Sequence, residues 1–93
     1  MAYLFAHFEL DDYDAWKSGR FDQDPAGRKQ SAAKGHQLYR AVDDGNKVFI
    51  ALEFPSADEA SSFRERLLAS GALEGIKQNV PPTVVEVAEE VEY

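Results

Sequence analysis

The sequence predicts an α+β domain of ferredoxin-like βαββαβ order, a four-stranded antiparallel sheet with its helices on one face. Three observations predict it. Short apolar runs alternate along the chain with segments of helical spacing. Two of those runs, Tyr3–Leu10 and Lys47–Phe54, are apolar on both faces. A strand with one face in water alternates apolar and polar residues, so these two expect cover on both sides. The helices suffice for one side only, which leaves the other sheet face for a second copy of the chain.

Each element follows from local signals. The first strand covers Tyr3–Leu10, and Asp11 or Asp12 then offers an N-cap carboxylate. Tyr13, Trp16, Lys17, Arg20 and Phe21 recur at helical spacing, so the aromatics share one stripe. Asp24-Pro25 interrupts that helix, because a proline disfavours helix at the residue before it and suits the first turn of a new one. A short second segment is predicted from Pro25 to Lys34, with Ala26, Ala32 and Ala33 as small packing residues and Gly35 as a left-handed C-cap. Strand two covers His36–Val42. Asp43-Asp44-Gly45-Asn46 forms the turn, since Gly and Asn accept positive φ cheaply. Strand three returns over Lys47–Phe54.

Pro55-Ser56 stops it, and Ser56-Ala57-Asp58-Glu59 matches a capping box. The following helix buries Ala60, Phe63 and Leu67, and Ser70-Gly71 closes it. Leu73, Ile76 and Val80 suggest a further helical turn, with Glu74, Lys77 and Gln78 as its solvated face. Pro81-Pro82 ends that segment and launches the last strand, Thr83–Val91. Strand two carries Gln37, Arg40 and Asp43, and strand four carries Glu86, Glu89 and Glu90. Charged strands belong at edges. The sheet order is therefore four-one-three-two, in one domain spanning residues 1–93.

Composition narrows the function. Hydrophobic residues make up 44% of the chain, enough for a packed core. The formal net charge of −7 disfavours nucleic acid and anionic membranes as partners. No apolar run approaches the roughly 20 residues that span a bilayer. The chain opens straight into a strand, without a basic leader. A cytoplasmic protein is expected, and the lack of cysteine fits a reducing compartment. There is no phosphate loop, nucleophile elbow or dinucleotide fingerprint.

Asp14-Ala15-Trp16-Lys17, Phe21-Asp22-Gln23-Asp24-Pro25-Ala26-Gly27-Arg28 and Asp43-Asp44-Gly45-Asn46-Lys47-Val48 resemble stretches of small bacterial members of the dimeric α/β-barrel superfamily. That superfamily includes antibiotic-biosynthesis monooxygenase-like proteins. The resemblance implies a homodimer joined through the open sheet face, with helices outside and small pockets between sheet and helices. It implies a cofactor-independent monooxygenase, cyclase or isomerase acting on a small aromatic or polyketide-like substrate, or else a non-catalytic small-molecule-binding or stress-associated module. No metal or cofactor is expected. The haem-degrading and quinone-forming members resemble one another in pairing Asn and Trp with His or Arg in one pocket; here Trp16 lies on the first helix and Asn46 in a turn.

The candidate catalytic residue is His7. It shares a strand face with Tyr3, Phe5 and Glu9, where Glu9 or Glu53 would orient its imidazole as general base. The plainer reading makes it a hydrogen-bonded histidine of the subunit interface. Trp16, Phe5, Tyr39, Arg28 and His36 are the candidate substrate-binding residues. Trp16, with Tyr13 and Phe21, would line a pocket and stack an aromatic ligand. Arg28 would fork onto a carboxylate at the amides after Pro25, unless Asp24 caps those amides and Arg28 pairs one turn back. Tyr39 and Arg40 alternate, so only one faces a given cavity. His36 either points into the helix–sheet cleft or bonds a loop carbonyl. His7, Glu9 and His36 share the residue types of a two-histidine, one-carboxylate metal site, with no fixed spacing for the third ligand.

Overall fold

A computed structural model describes residues 1–93. Strand β1 (Ala2–Glu9) is followed by a short helix α1 (Tyr13–Trp16), a π-helical turn over Lys17–Phe21 and a 3-10 turn over Arg28–Gln30. Strands β2 (Gly35–Ala41) and β3 (Asp44–Phe54), helix α2 (Ala57–Ala69) and strand β4 (Lys77–Glu86) complete the chain. The antiparallel sheet runs β2-β3-β1-β4, the order the charge pattern predicts. β1 and β3 lie at its centre, pairing Leu4 with Leu52 and His7 with Phe49.

The period of two divides the central strands cleanly. Ala2, Leu4, Ala6 and Phe8 of β1 and Val48, Ile50, Leu52 and Phe54 of β3 are buried under the helical layer. Phe63 and Ala60 of α2 close onto them, with the Phe54 and Phe63 rings 5.6 Å apart. Burying one such side chain contributes about 1.5–3 kcal/mol. The opposite face carries Tyr3, Phe5 and His7 beside Phe49 and Ala51. No element of the chain covers it, and these residues are half-buried only by one another.

α1 begins at Asp12, whose carboxylate accepts from the Ala15 amide at 3.2 Å. The helix then widens, and the Asp22 amide bonds the Lys17 carbonyl five residues back at 2.9 Å. A π-helical turn brings residues five apart onto one side. Trp16 and Phe21 therefore stand side by side, with ring centroids 5.0 Å apart.

Four expectations need correction. The segment Pro25–Lys34 is not a helix but a single 3-10 turn, because Asp24 (φ 53°) and Gly27 (φ 74°) are both left-handed and break the helical run. Gly35 is no C-cap; it is extended and opens β2. The hairpin tip is Val42–Asp43, and Gly45 and Asn46 lie inside β3 without positive φ. Asn46 serves packing instead: its Oδ1 accepts from the Tyr13 amide at 2.9 Å and its Nδ2 donates to the Asp11 carbonyl at 3.2 Å.

The fourth concerns the C-terminal region. Leu73 lies in a turn and Val80 in a strand rather than on a helix. β4 begins at Lys77, so Lys77 and Gln78 are strand residues, and the strand ends at Glu86, short of Glu89 and Val91. Pro81 and Pro82 sit within β4 where the β1–β4 register shifts, between the Phe5 and His7 pairs. An edge strand tolerates proline there because its outer amides need no partner. In the α2 cap, the Ser56 hydroxyl accepts from the Glu59 amide at 3.3 Å, the forward half of the predicted box.

Candidate functional site: a cavity between helix and sheet

The interrupted first helix leaves a cavity of about 70 Å³ between the helical layer and the sheet. Leu4, Ile50 and Phe63 form its floor and back, and Trp16 and Phe21 form a wall. Its polar lining consists of Arg20, Asp24 and Arg28. An apolar space with a few convergent polar groups is the ordinary form of a small-molecule site, although this one is well below the roughly 300–1,000 Å³ of drug-sized pockets.

The polar end is built around Asp24. Its left-handed backbone turns the carboxylate onto the following turn, where Oδ1 accepts from the Arg28 amide at 2.7 Å and Oδ2 from the Lys29 amide at 3.1 Å. Burial works to raise the Asp24 carboxyl, but those two amides and the Arg28 charge outweigh it and hold it below the ordinary carboxylate range. The Arg28 guanidinium lies 3.8 Å over the Phe21 ring, with Nη1 donating to the Phe21 carbonyl at 3.1 Å and Nε 3.6 Å from Asp24. Arg20 instead donates to the carbonyls of Ala72 (2.8 Å) and Glu74 (3.0 Å), pinning the turn after α2 to the π-helical turn. Arg66 does the same from α2, donating to the Ala26 carbonyl at 2.8 Å.

The sequence-predicted residues fall on opposite sides of the sheet. Trp16 and Arg28 line the cavity, and His36 meets the Phe21 ring edge-on at 5.2 Å. Burial, then the charges of Arg28 and Lys17, push the His36 imidazole below its ordinary value, against a weaker opposing pull from Asp22. His7 lies on the open face, with Phe5 and Phe49 sharing its side of the central pair. It stacks on Phe49 at 4.0 Å and 16°, and its Nε2 is buried without a hydrogen-bond partner. Tyr39 lies opposite Phe49 on β2, half exposed, its hydroxyl bonded to Gln37.

The arrangement in which His7 works in one pocket with Trp16 is therefore not formed. Nor is His7 oriented by Glu9, which is engaged by Asn79 at 3.0 Å and Lys77 at 3.0 Å and lies below the ordinary carboxylate range on account of those bonds. His7 and His36 lie on opposite sheet faces, so the two-histidine, one-carboxylate set does not converge, and no cluster of three potential ligands is spaced for a metal. The amides after Pro25 are capped by Asp24, as the plainer reading of that segment has it. Arg20 and Phe63 were not singled out as site residues. Arg20 gives no sign in sequence, since its reach to the Ala72 turn is 52 residues long.

No family model matches the sequence, and none of the curated proteins does. Solved structures match over nearly the whole chain. A protein of Nitrosomonas europaea assigned as an antibiotic biosynthesis monooxygenase aligns with TM-score 0.57 and 10% identity, covering 91% of this chain and 94% of that one. One of Bordetella bronchiseptica with the same assignment gives 0.58 and 13%, with 97% of each chain covered. A further antibiotic biosynthesis monooxygenase gives 0.56 and 14%, covering 98% of this chain and all (100%) of its own. At such identities the shared property is the ferredoxin-like fold.

Proposed function

We propose that this chain works as a homodimeric, monooxygenase-like protein that takes a small aromatic or apolar molecule into the helix–sheet cavity and acts on it without a bound cofactor. The observation that carries the reading is the cavity itself, an apolar space walled by Trp16 and Phe21 in a fold shared with proteins assigned to oxygenation. A fold hosts many activities, so the site rather than the likeness bears the weight. On this reading His36 is the acid–base group, standing edge-on against the Phe21 wall rather than in the cavity lining itself. His7, Phe5 and Tyr39 belong to the surface that meets the second copy. That open face is apolar across both central strands, and a monomer seldom leaves such a patch in water.

Trp16 is the only tryptophan, so its fluorescence reports the cavity alone. Benzyl alcohol should quench or shift it saturably in the native protein. Ala26→Leu, which fills the cavity from its lining, should abolish the response. A response that does not saturate, or that survives Ala26→Leu, overturns the site. Oxygen uptake with a panel of phenols then separates an enzyme from a binding module: binding without uptake would favour the non-catalytic role.

A further inference from the structure

The polar end of the cavity is more basic than the chain as a whole. The protein carries 17 acidic residues against 10 lysines and arginines. Around Phe21 the balance reverses, since Lys17, Arg20 and Arg28 face only Asp22 and Asp24. Lys17 is neutralised by Asp22 at 2.5 Å. Arg20 has no carboxylate within ion-pairing distance and spends its donors on carbonyls.

Arg28 is the informative member. Its side chain is only 13% exposed and its Asp24 partner 11%. A guanidinium has five N–H donors. Within the chain Arg28 uses one, from Nη1 to the Phe21 carbonyl. Asp24 does not take the others as hydrogen bonds, because its approach to Nε is 3.6 Å, outside hydrogen-bond range, and the two groups form an ion pair only. Arg28 is therefore held over an aromatic ring, its guanidinium carbon 3.8 Å from the ring centre, at the lip of an apolar cavity, with most of its fork unspent and open to solvent. A planar fork of that kind matches a carboxylate in two parallel bonds.

We infer that the cavity selects ligands carrying one carboxylate on a small apolar or aryl body, with the carboxylate bound by Arg28 and the body entering in part against Trp16 and Phe63, since a whole aryl ring exceeds a space of about 70 Å³. The inference rests on the cavity being a ligand site and adds the chemical class of the ligand. The lowered pKa of His36 agrees with a positive potential at this lip, Arg28 and Lys17 being among its causes after burial.

The test compares benzoate with benzyl alcohol, which keeps the ring and lacks the charge, by Trp16 fluorescence at pH 7 and low salt. Benzoate should bind the native protein at least tenfold more tightly than benzyl alcohol. Arg28→Gln should remove that preference, bringing the ratio of the two affinities to about one, and Arg28→Lys, which keeps the charge without the fork, should retain only part of it. Equal affinities for the two probes in the native protein overturn the inference and leave the cavity reading standing, whether or not the variants fold. A benzoate preference that survives Arg28→Gln overturns the role of Arg28. If neither probe binds, the cavity reading fails and this inference with it.

Discussion

Asp24 is the non-glycine residue with positive φ, at 53°, and substitutions there separate backbone strain from side-chain bonding. Removing the carboxylate deletes two charge-assisted bonds from amides. Each is worth about 1.5–3 kcal/mol when buried, but the Lys29 amide is exposed and regains water, so the pair contributes roughly 2 kcal/mol. Alanine must then hold a left-handed backbone at a cost of about 1–2 kcal/mol. Glycine holds it freely and loses about 0.5–1 kcal/mol to the flexibility of the unfolded chain. Both variants strand the Arg28 charge equally. The difference between them is thus about 0.5–1 kcal/mol in favour of glycine, the reverse of the order expected at a helical or extended position. Asn tolerates the left-handed region and keeps one acceptor, so the order of stability should be native, Asp24→Asn, Asp24→Gly, Asp24→Ala. Urea unfolding with a common slope measures it. Asp24→Ala as stable as Asp24→Gly would refute the claim that this residue is strained and bonded as described.

Further outcomes follow from the same packing. Protonation of Asp24 opposes folding because its folded pKa is depressed; its contribution is intact above about 3.8 and should fade as the pH falls through the lower folded value, a fade missing in Asp24→Asn. His36 has a folded pKa below 6.5, so acidification from 6.5 downward should destabilise the native protein relative to His36→Gln; equal pH profiles would contradict the packing of the imidazole against Phe21 beside the Arg28 and Lys17 charges. Ser56→Ala removes the N-cap of α2 and should cost about 1 kcal/mol, a fall of roughly 4–8 °C in Tm. Phe63→Ala empties the space against Phe54 and should cost about 3–5 kcal/mol by urea unfolding.

The sheet was legible because burial on two faces suppresses alternation: Tyr3–Phe8 and Val48–Leu52 are mostly apolar on both faces, and the more charged strands fall at the edges. The connection from Phe21 to Gly35 was not. Its shape depends on left-handed φ at Asp24 and Gly27 and on Arg66 reaching the Ala26 carbonyl from 40 residues away, none of which has a period. The same holds for β4. Pro81-Pro82 normally ends a strand, and only the position at the sheet edge, with a register shift against β1, lets the strand run through it. The site divided along the same line. Trp16 and Phe21 share the aromatic stripe already in the sequence, whereas the π-helical turn that sets their rings 5.0 Å apart has no local sequence signal. His7 drew attention because histidine is rare on an apolar strand, but strand parity alone puts it on the face away from the helices.

The measurement that bears most directly on the whole account is native mass spectrometry at micromolar concentration, beside the single-charge variant Phe49→Glu. The account holds that one sheet face belongs to the helices and their cavity and the other to a second copy. It predicts twice the 10.4 kDa chain mass for the native protein and a folded monomer for the variant, since a carboxylate at Phe49 would be buried between the two copies. A native protein that flies as a folded 10.4 kDa monomer, with Phe5, Phe49 and Tyr39 left in water, would contradict it.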